Sequence, residues 1–191
     1  METPPLRPEQ FAHLLTGPPR AASEWVEASL AGDFRRAWSV MDFDLRLWLA
    51  QNWCYRNRAH PHLTQTDPQA LARRFAANDT ADHELWMPFT QGVGSLLADL
   101  VAGLGDDWVP SVTPRALGPD LELVIFVHPE AFPVDDNGQR YWPSDLPTRA
   151  FEVIMRHLPD GWRVASWGRH MPEPDWPPRW VPIRTGTEEP T

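Results

Sequence analysis

Phe151-Glu152-Val153-Ile154-Met155-Arg156-His157-Leu158, then Pro159-Asp160-Gly161, then Trp162-Arg163-Val164-Ala165-Ser166-Trp167 is the stretch that decides the fold. Two runs rich in β-branched and aromatic residues flank an Asp-Gly pair, the local signature of a tight hairpin whose central positions take positive φ. Glu152 and Arg156 alternate with Phe151, Val153, Met155 and His157, so one face of the first strand is expected to be the more buried. The rest of the chain reads as material that covers that face.

Upstream, Leu121 to His128 is apolar with little alternation, as expected of a central strand covered on both sides. Trp108 to Thr113 is a strand broken by Pro110 and ended by Pro114, which suits an edge. Between Pro129 and Pro147, Asp135-Asp136-Asn137-Gly138 fits a small hairpin or a lid-like loop. Before these strands the apolar spacing is helical. Ser23 offers an N-cap to a helix carrying Trp25, Val26, Ser29 and Leu30 up to Gly32, and Asp33 caps the stripe Phe34, Ala37, Trp38, Met41. Leu45, Trp48, Leu49 and Trp53 continue the spacing after Asp42-Phe43-Asp44, as one bent helix or two. Asp67-Pro68 opens a helix ending near Asn78, and Thr80 or Asp82 opens the next, whose stripe from Phe89 to Leu104 is the longest in the chain.

Helices first and antiparallel strands after them make an α+β fold, with N-terminal helices packed on a curved antiparallel sheet. At 191 residues and 42% hydrophobic content, a single domain over residues 23–168 is expected. Residues 1–22 form a proline-rich arm with a short helical candidate, Glu9 to Leu15. Residues 169–191 form a Trp/Pro-rich tail that cannot be helical but can lie extended, anchored by Trp176 and Trp180.

The net charge of -9 and the pI near 5.2 oppose a phosphate-binding surface, so neither nucleic acid nor an anionic membrane is an expected partner. Cys54 is alone, which excludes an intramolecular disulfide. Met1 to Pro8 has no continuous apolar core and no later stretch is long and apolar enough to cross a bilayer, so the expected location is the cytoplasm.

Trp25-Val26-Glu27-Ala28-Ser29-Leu30-Ala31-Gly32-Asp33-Phe34-Arg35-Arg36-Ala37-Trp38 and the closing Gly161-Trp162-Arg163-Val164-Ala165-Ser166-Trp167 resemble the first helical corner and last strand of the NTF2-like superfamily, which includes the SnoaL-like and ketosteroid isomerase-like proteins. The resemblance covers about residues 23–168. It implies a cone with an apolar cavity between helices and sheet, often a small-molecule site, and often a homodimer formed through the sheet. The helical region from Asp67 to Leu104 is larger than that family usually has. The only tyrosines, Tyr55 and Tyr141, lie outside the first helix, so the tyrosine-based site of the isomerases does not carry over.

The catalytic candidates are Asp42, Asp44, His128 and His157. A carboxylate at a helix junction has its pKa raised if it faces a cavity, and a histidine there can act as acid or base. Capping is the commoner role for such aspartates, and a hydrogen-bonded core or rim position the commoner one for the histidines. His60-Pro61-His62 with a nearby carboxylate is a thin metal signal without a third ligand, Asp79, Asp82, His83 and Glu84 suit a helix start, and Asp135 to Gly138 lacks calcium-loop spacing. No metal and no cofactor is expected, and the common nucleophile, phosphate-loop and dinucleotide motifs do not occur.

The 11 tryptophans are the most unusual feature. Trp38, Trp48, Trp86, Met155 and Trp167 are the candidate lining of a pocket for a flat apolar or aromatic ligand, against the commoner role of filling the core. Three functions follow: a small-molecule-binding domain; an interaction or homodimerisation module using the sheet face and tail; and an isomerase or dehydratase with a cavity carboxylate or histidine.

Overall fold

A computed structural model describes residues 16–78, 82–105, 108–112, 117–128, 137 and 150–183. Among them, six helices precede a curled, antiparallel, four-stranded half-barrel sheet, the α+β order expected. The helices are α1 (Gly17–Leu30), α2 (Phe34–Val40), α3 (Phe43–Arg56), α4 (Pro61–Thr64), α5 (Pro68–Ala76) and α6 (Trp86–Val101). The strands are β1 (Val109–Val112), β2 (Leu121–Val127), β3 (Ala150–Leu158), β4 (Gly161–Trp167), β5 (His170–Glu173) and β6 (Arg179–Pro182). The Glu9 to Leu15 segment, Asp79, Thr80, Tyr141, most of the Pro129 to Pro147 connection and the end of the tail lie outside the described residues.

The main sheet runs β1-β2-β3-β4, so β2 is internal and Pro110 sits on an edge strand, where its missing N–H is tolerated. β2 is covered on both sides. Val124 and Phe126 join Val153, Met155 and Val164 in the core shared with the helices, while Leu123, Ile125 and Val127 join Ile154 and Ala165 in a second cluster on the other face. That second face is buried within the single chain, with Ile125, Val127, Ile154 and Ala165 all at 0% exposure.

β3 and β4 form the expected hairpin, Leu158 pairing with Gly161, but the turn differs. Pro159 and Asp160 are its central pair, and positive φ falls only on Gly161 after them (φ 123), because proline holds φ negative. A bulge between Ile154 and Met155 shifts the register, so Met155 faces Val164 and Ile154 faces Ser166. The free edge of β4 takes a short parallel bridge from the α2–α3 junction, Met41 to Val164, where Asp42 N–H donates to the Val164 carbonyl at 2.9 Å.

Helix caps fall where short acidic residues predicted them. Asp33, Asp42 and Asp67 accept from Arg36 N (3.1 Å), Leu45 N (2.8 Å) and Gln69 N (2.9 Å), and Asp42 divides α2 from α3. Other boundaries are corrected. α1 starts at Gly17, not after Ser23, since Pro18 and Pro19 occupy a first turn whose N–H groups need no partner, so residues 17–22 belong to the helical layer. α6 starts at Trp86 without a side-chain cap and buries only one face, through Phe89, Val93, Leu97 and Val101, leaving Met87 and Leu96 exposed. The tail is more ordered than an extended anchor: β5 and β6 pair as a second hairpin.

Candidate functional site

The larger groups of aromatic contacts among the described residues are two, and no ring contact among those residues joins them. The first lies within the helical layer. Phe89 of α6 is its hub, with ring centroids at 4.5 Å from Phe75, 5.5 Å from Trp38 and Trp86, 5.7 Å from Trp53 and 5.9 Å from Phe34. Most of these pairs are edge-to-face, the packing that ring quadrupoles favour. Gly92 makes room for it, since a Cβ there would meet Trp53 Nε1 at 3.0 Å.

The second set is a ladder between α1, α3, β4 and the tail hairpin. Trp25 stacks on Trp167 (6.1 Å) and Phe151 (6.4 Å), Trp167 meets Trp180 of β6 (5.0 Å), and Trp180 meets Trp48 (4.4 Å). Beside it, Trp176 lies against Tyr55 at 5.5 Å. The expected anchoring of the tail by Trp176 and Trp180 is thus observed.

Of the candidate pocket residues, Trp48 and Trp167 are brought together through Trp180, whereas Trp38 and Trp86 belong to the helical set. Met155 is fully buried in the helix-facing core. Trp25 and Trp180 are ladder members that the sequence reading did not select. Their aromatic character was visible, but their pairing joins residues far apart in the chain.

Two ladder members carry buried indole nitrogens with no hydrogen-bond partner, Trp25 Nε1 on α1 and Trp48 Nε1 on α3, and the same helices hold three more such atoms, Ser29 Oγ on α1 and Arg46 Nε and Gln51 Oε1 on α3. In the helical set only Trp38 Nε1 is in this condition. Leaving a buried donor or acceptor unpaired costs about 1–3 kcal/mol, so such atoms are few in folded proteins and each calls for a physical reason.

At the α2–α3 junction, Asp42 is buried, with Oδ1 spent on the Leu45 cap and Oδ2 at 2.7 Å from Arg156 Nη1. The aligned hydrogen bond from Arg156 goes instead to Asp44 Oδ2 at 2.9 Å, so Asp42 Oδ2 receives charge contact without a well-directed donor. Burial raises the Asp42 pKa above the usual carboxylate range, against the lowering by the Leu45 N–H and Arg156. Arg46, on the same helix, has its pKa lowered by burial, with Asp42 opposing and Arg163 adding repulsion. Asp42 therefore ties α3 to the sheet, and half-exposed Asp44 shares its arginine. Arg156 was not a candidate, because nothing local marks a partner 112 residues away.

The histidines are dispersed. His157 is exposed near the β3–β4 turn, with its ring 4.8 Å from that of Trp162, because strand alternation no longer implies burial where the hairpin leaves the helical layer. His128 is half-buried at the end of β2, edge-on to Trp108 at 5.9 Å. His62 Nδ1 lies 2.7 Å from Glu84 Oε1 with His60 stacked on it, and no group of three metal-ligating side chains occurs among the described residues. Cys54 is buried, and burial pushes its thiol up to about 12. No described helix is long and apolar enough to cross a membrane.

Comparison with models of protein families, with curated proteins and with solved structures gives no significant match.

Proposed function

We propose that the chain is an NTF2-like small-molecule-binding domain, whose ligand is a flat, mainly apolar molecule lodged beside the aromatic ladder between α1, α3 and β4. The observation that carries this reading is the presence, within one run of ring contacts, of two buried indole N–H groups without a partner, those of Trp25 and Trp48. Large rigid rings supply contact area at little entropic cost, and a few polar groups fix orientation, the usual composition of a ligand site. Indole N–H groups only donate, so the ligand carries an acceptor such as a carbonyl oxygen.

A calorimetric titration with tetralone, a bicyclic aromatic ketone, against tetralin, the same skeleton without the carbonyl, tests this. One hydrogen bond to an otherwise unpaired donor predicts tighter binding of tetralone by roughly tenfold, and Trp48→Phe, which keeps a ring and removes the N–H, narrows the gap. Equal affinities, or binding of neither compound, would contradict the proposal.

A further inference from the structure

We infer that the place between the rings of Trp48 and Trp167 is a binding slot for a planar bicyclic aromatic molecule, and that the chain's own Trp180 occupies it as an internal competitor. This rests on the ligand-binding reading above and adds the position of the ligand ring and what must leave when it binds. Trp180 lies with its ring centroid 4.4 Å from that of Trp48 and 5.0 Å from that of Trp167, and Trp167 in turn stacks on Trp25. One indole thus fills an interval bounded by two others. Its carrier is a two-stranded sheet of its own, β5 and β6, joined to β4 across Gly168 (φ 66) and held to the body by Trp176 on Tyr55, by the hydrogen bond from Ser166 Oγ to the His170 carbonyl and by Met171 and Ile183.

Chemistry makes Trp180 an imperfect occupant. Trp48 Nε1 and Trp25 Nε1 are buried donors without acceptors, and Trp180 brings only a third indole N–H, which cannot accept a hydrogen bond from either. A bicyclic aromatic with an oxygen acceptor replaces the tilted ring contacts of Trp180 and adds the bond that the indole cannot make. Binding is then coupled to displacement of the β5–β6 hairpin, and the hairpin sets a threshold that a ligand must exceed.

Chemical rescue tests the slot. Free indole is titrated into the full-length chain carrying Trp180→Ala and, in parallel, into Trp176→Ala, which removes a ring from the same hairpin at Tyr55 but outside the ladder. The expected result is a rise of several degrees in the melting temperature of Trp180→Ala with indole, no rise for Trp176→Ala, and loss of the rise in the Trp48→Ala, Trp180→Ala double variant. Equal responses of all variants, or none, would overturn the slot. Should Trp180→Ala not fold, Trp180→Leu serves, with the same expected and contrary results. Rescue by indole together with equal affinities for tetralone and tetralin in the wild type would remove the acceptor-bearing ligand and leave the slot standing. The reverse pair would remove the slot alone.

Discussion

The helical aromatic set and the hairpin ladder use the same kind of residue for different ends. In the first, Trp38, Phe75 and Phe89 are fully buried and Phe34, Trp53 and Trp86 half-buried, and the rings around Phe89 meet mostly edge to face, with one unpaired indole nitrogen. In the second, Trp25 is fully buried and Trp48, Trp167 and Trp180 are half-buried, and the indole nitrogens of Trp25 and Trp48 are left without partners, as are Ser29 Oγ, Arg46 Nε and Gln51 Oε1 on the same two helices. The first set draws its members from neighbouring helices; the second joins residues 25, 48, 167 and 180. The contrast separates packing from recognition: where rings satisfy one another the protein has a core, and where polar edges stay unpaired it has a place for something else.

The largest expected effect comes from removing the hub of the helical set. Phe89→Ala leaves a void touched by five rings and should cost about 3–5 kcal/mol in denaturant unfolding, whereas Trp180→Ala, removing a half-buried ring, should cost only about 1–2 kcal/mol. Equal costs would erase the distinction between the regions.

Two glycines on α6 sharpen the comparison on a finer scale. Gly92→Ala drives a methyl to 3.0 Å from Trp53 Nε1, inside the helical set, and overpacking of about 1–3 kcal/mol outweighs the roughly 1 kcal/mol of helix propensity gained. Gly94→Ala meets Phe34 Cδ2 at an ordinary 3.7 Å and should stabilise by up to about 1 kcal/mol. Melting curves giving both substitutions the same sign would show that the helical set is looser than a packed core.

The smallest effect concerns the junction under the ladder. Because burial raises the Asp42 pKa in the folded state above its ordinary 3.8, the folded chain holds this proton more tightly than the unfolded one. Its contribution to stability is fully present below the unfolded value and is lost as pH rises through the folded value. Denaturant unfolding at a series of pH values from the ordinary carboxylate range upward should show Asp42→Asn gaining on the wild type as pH rises. Asp42→Asn losing ground to the wild type as pH rises would mean that Arg156 outweighs burial.

Much of the fold was legible locally. An aspartate before a helical stripe caps it whatever the tertiary structure, as at Asp33, Asp42 and Asp67, and the unbroken apolar run of β2 signalled two covered faces. The β3–β4 hairpin was visible from its turn residues, although proline moved the positive φ onto Gly161. The start of α1 was not legible, because Ser23 looks like a cap while Pro18 and Pro19 sit in a first turn that accepts proline. The division of the tryptophans was not legible. Periodicity shows that Trp38 and Trp48 each face inward, but only long-range pairing decides that one meets Phe89 and the other Trp180.

The claim that one aromatic set is a core and the other a site can be read directly from the indole N–H signals of the 11 tryptophans in a proton–nitrogen correlation spectrum, assigned by single Trp→Phe substitutions. On adding tetralone, the signals of Trp25, Trp48 and Trp180 are predicted to move while those of Trp38, Trp53 and Trp86 stay in place. Movement confined to the helical set, or no movement at all, would contradict the account.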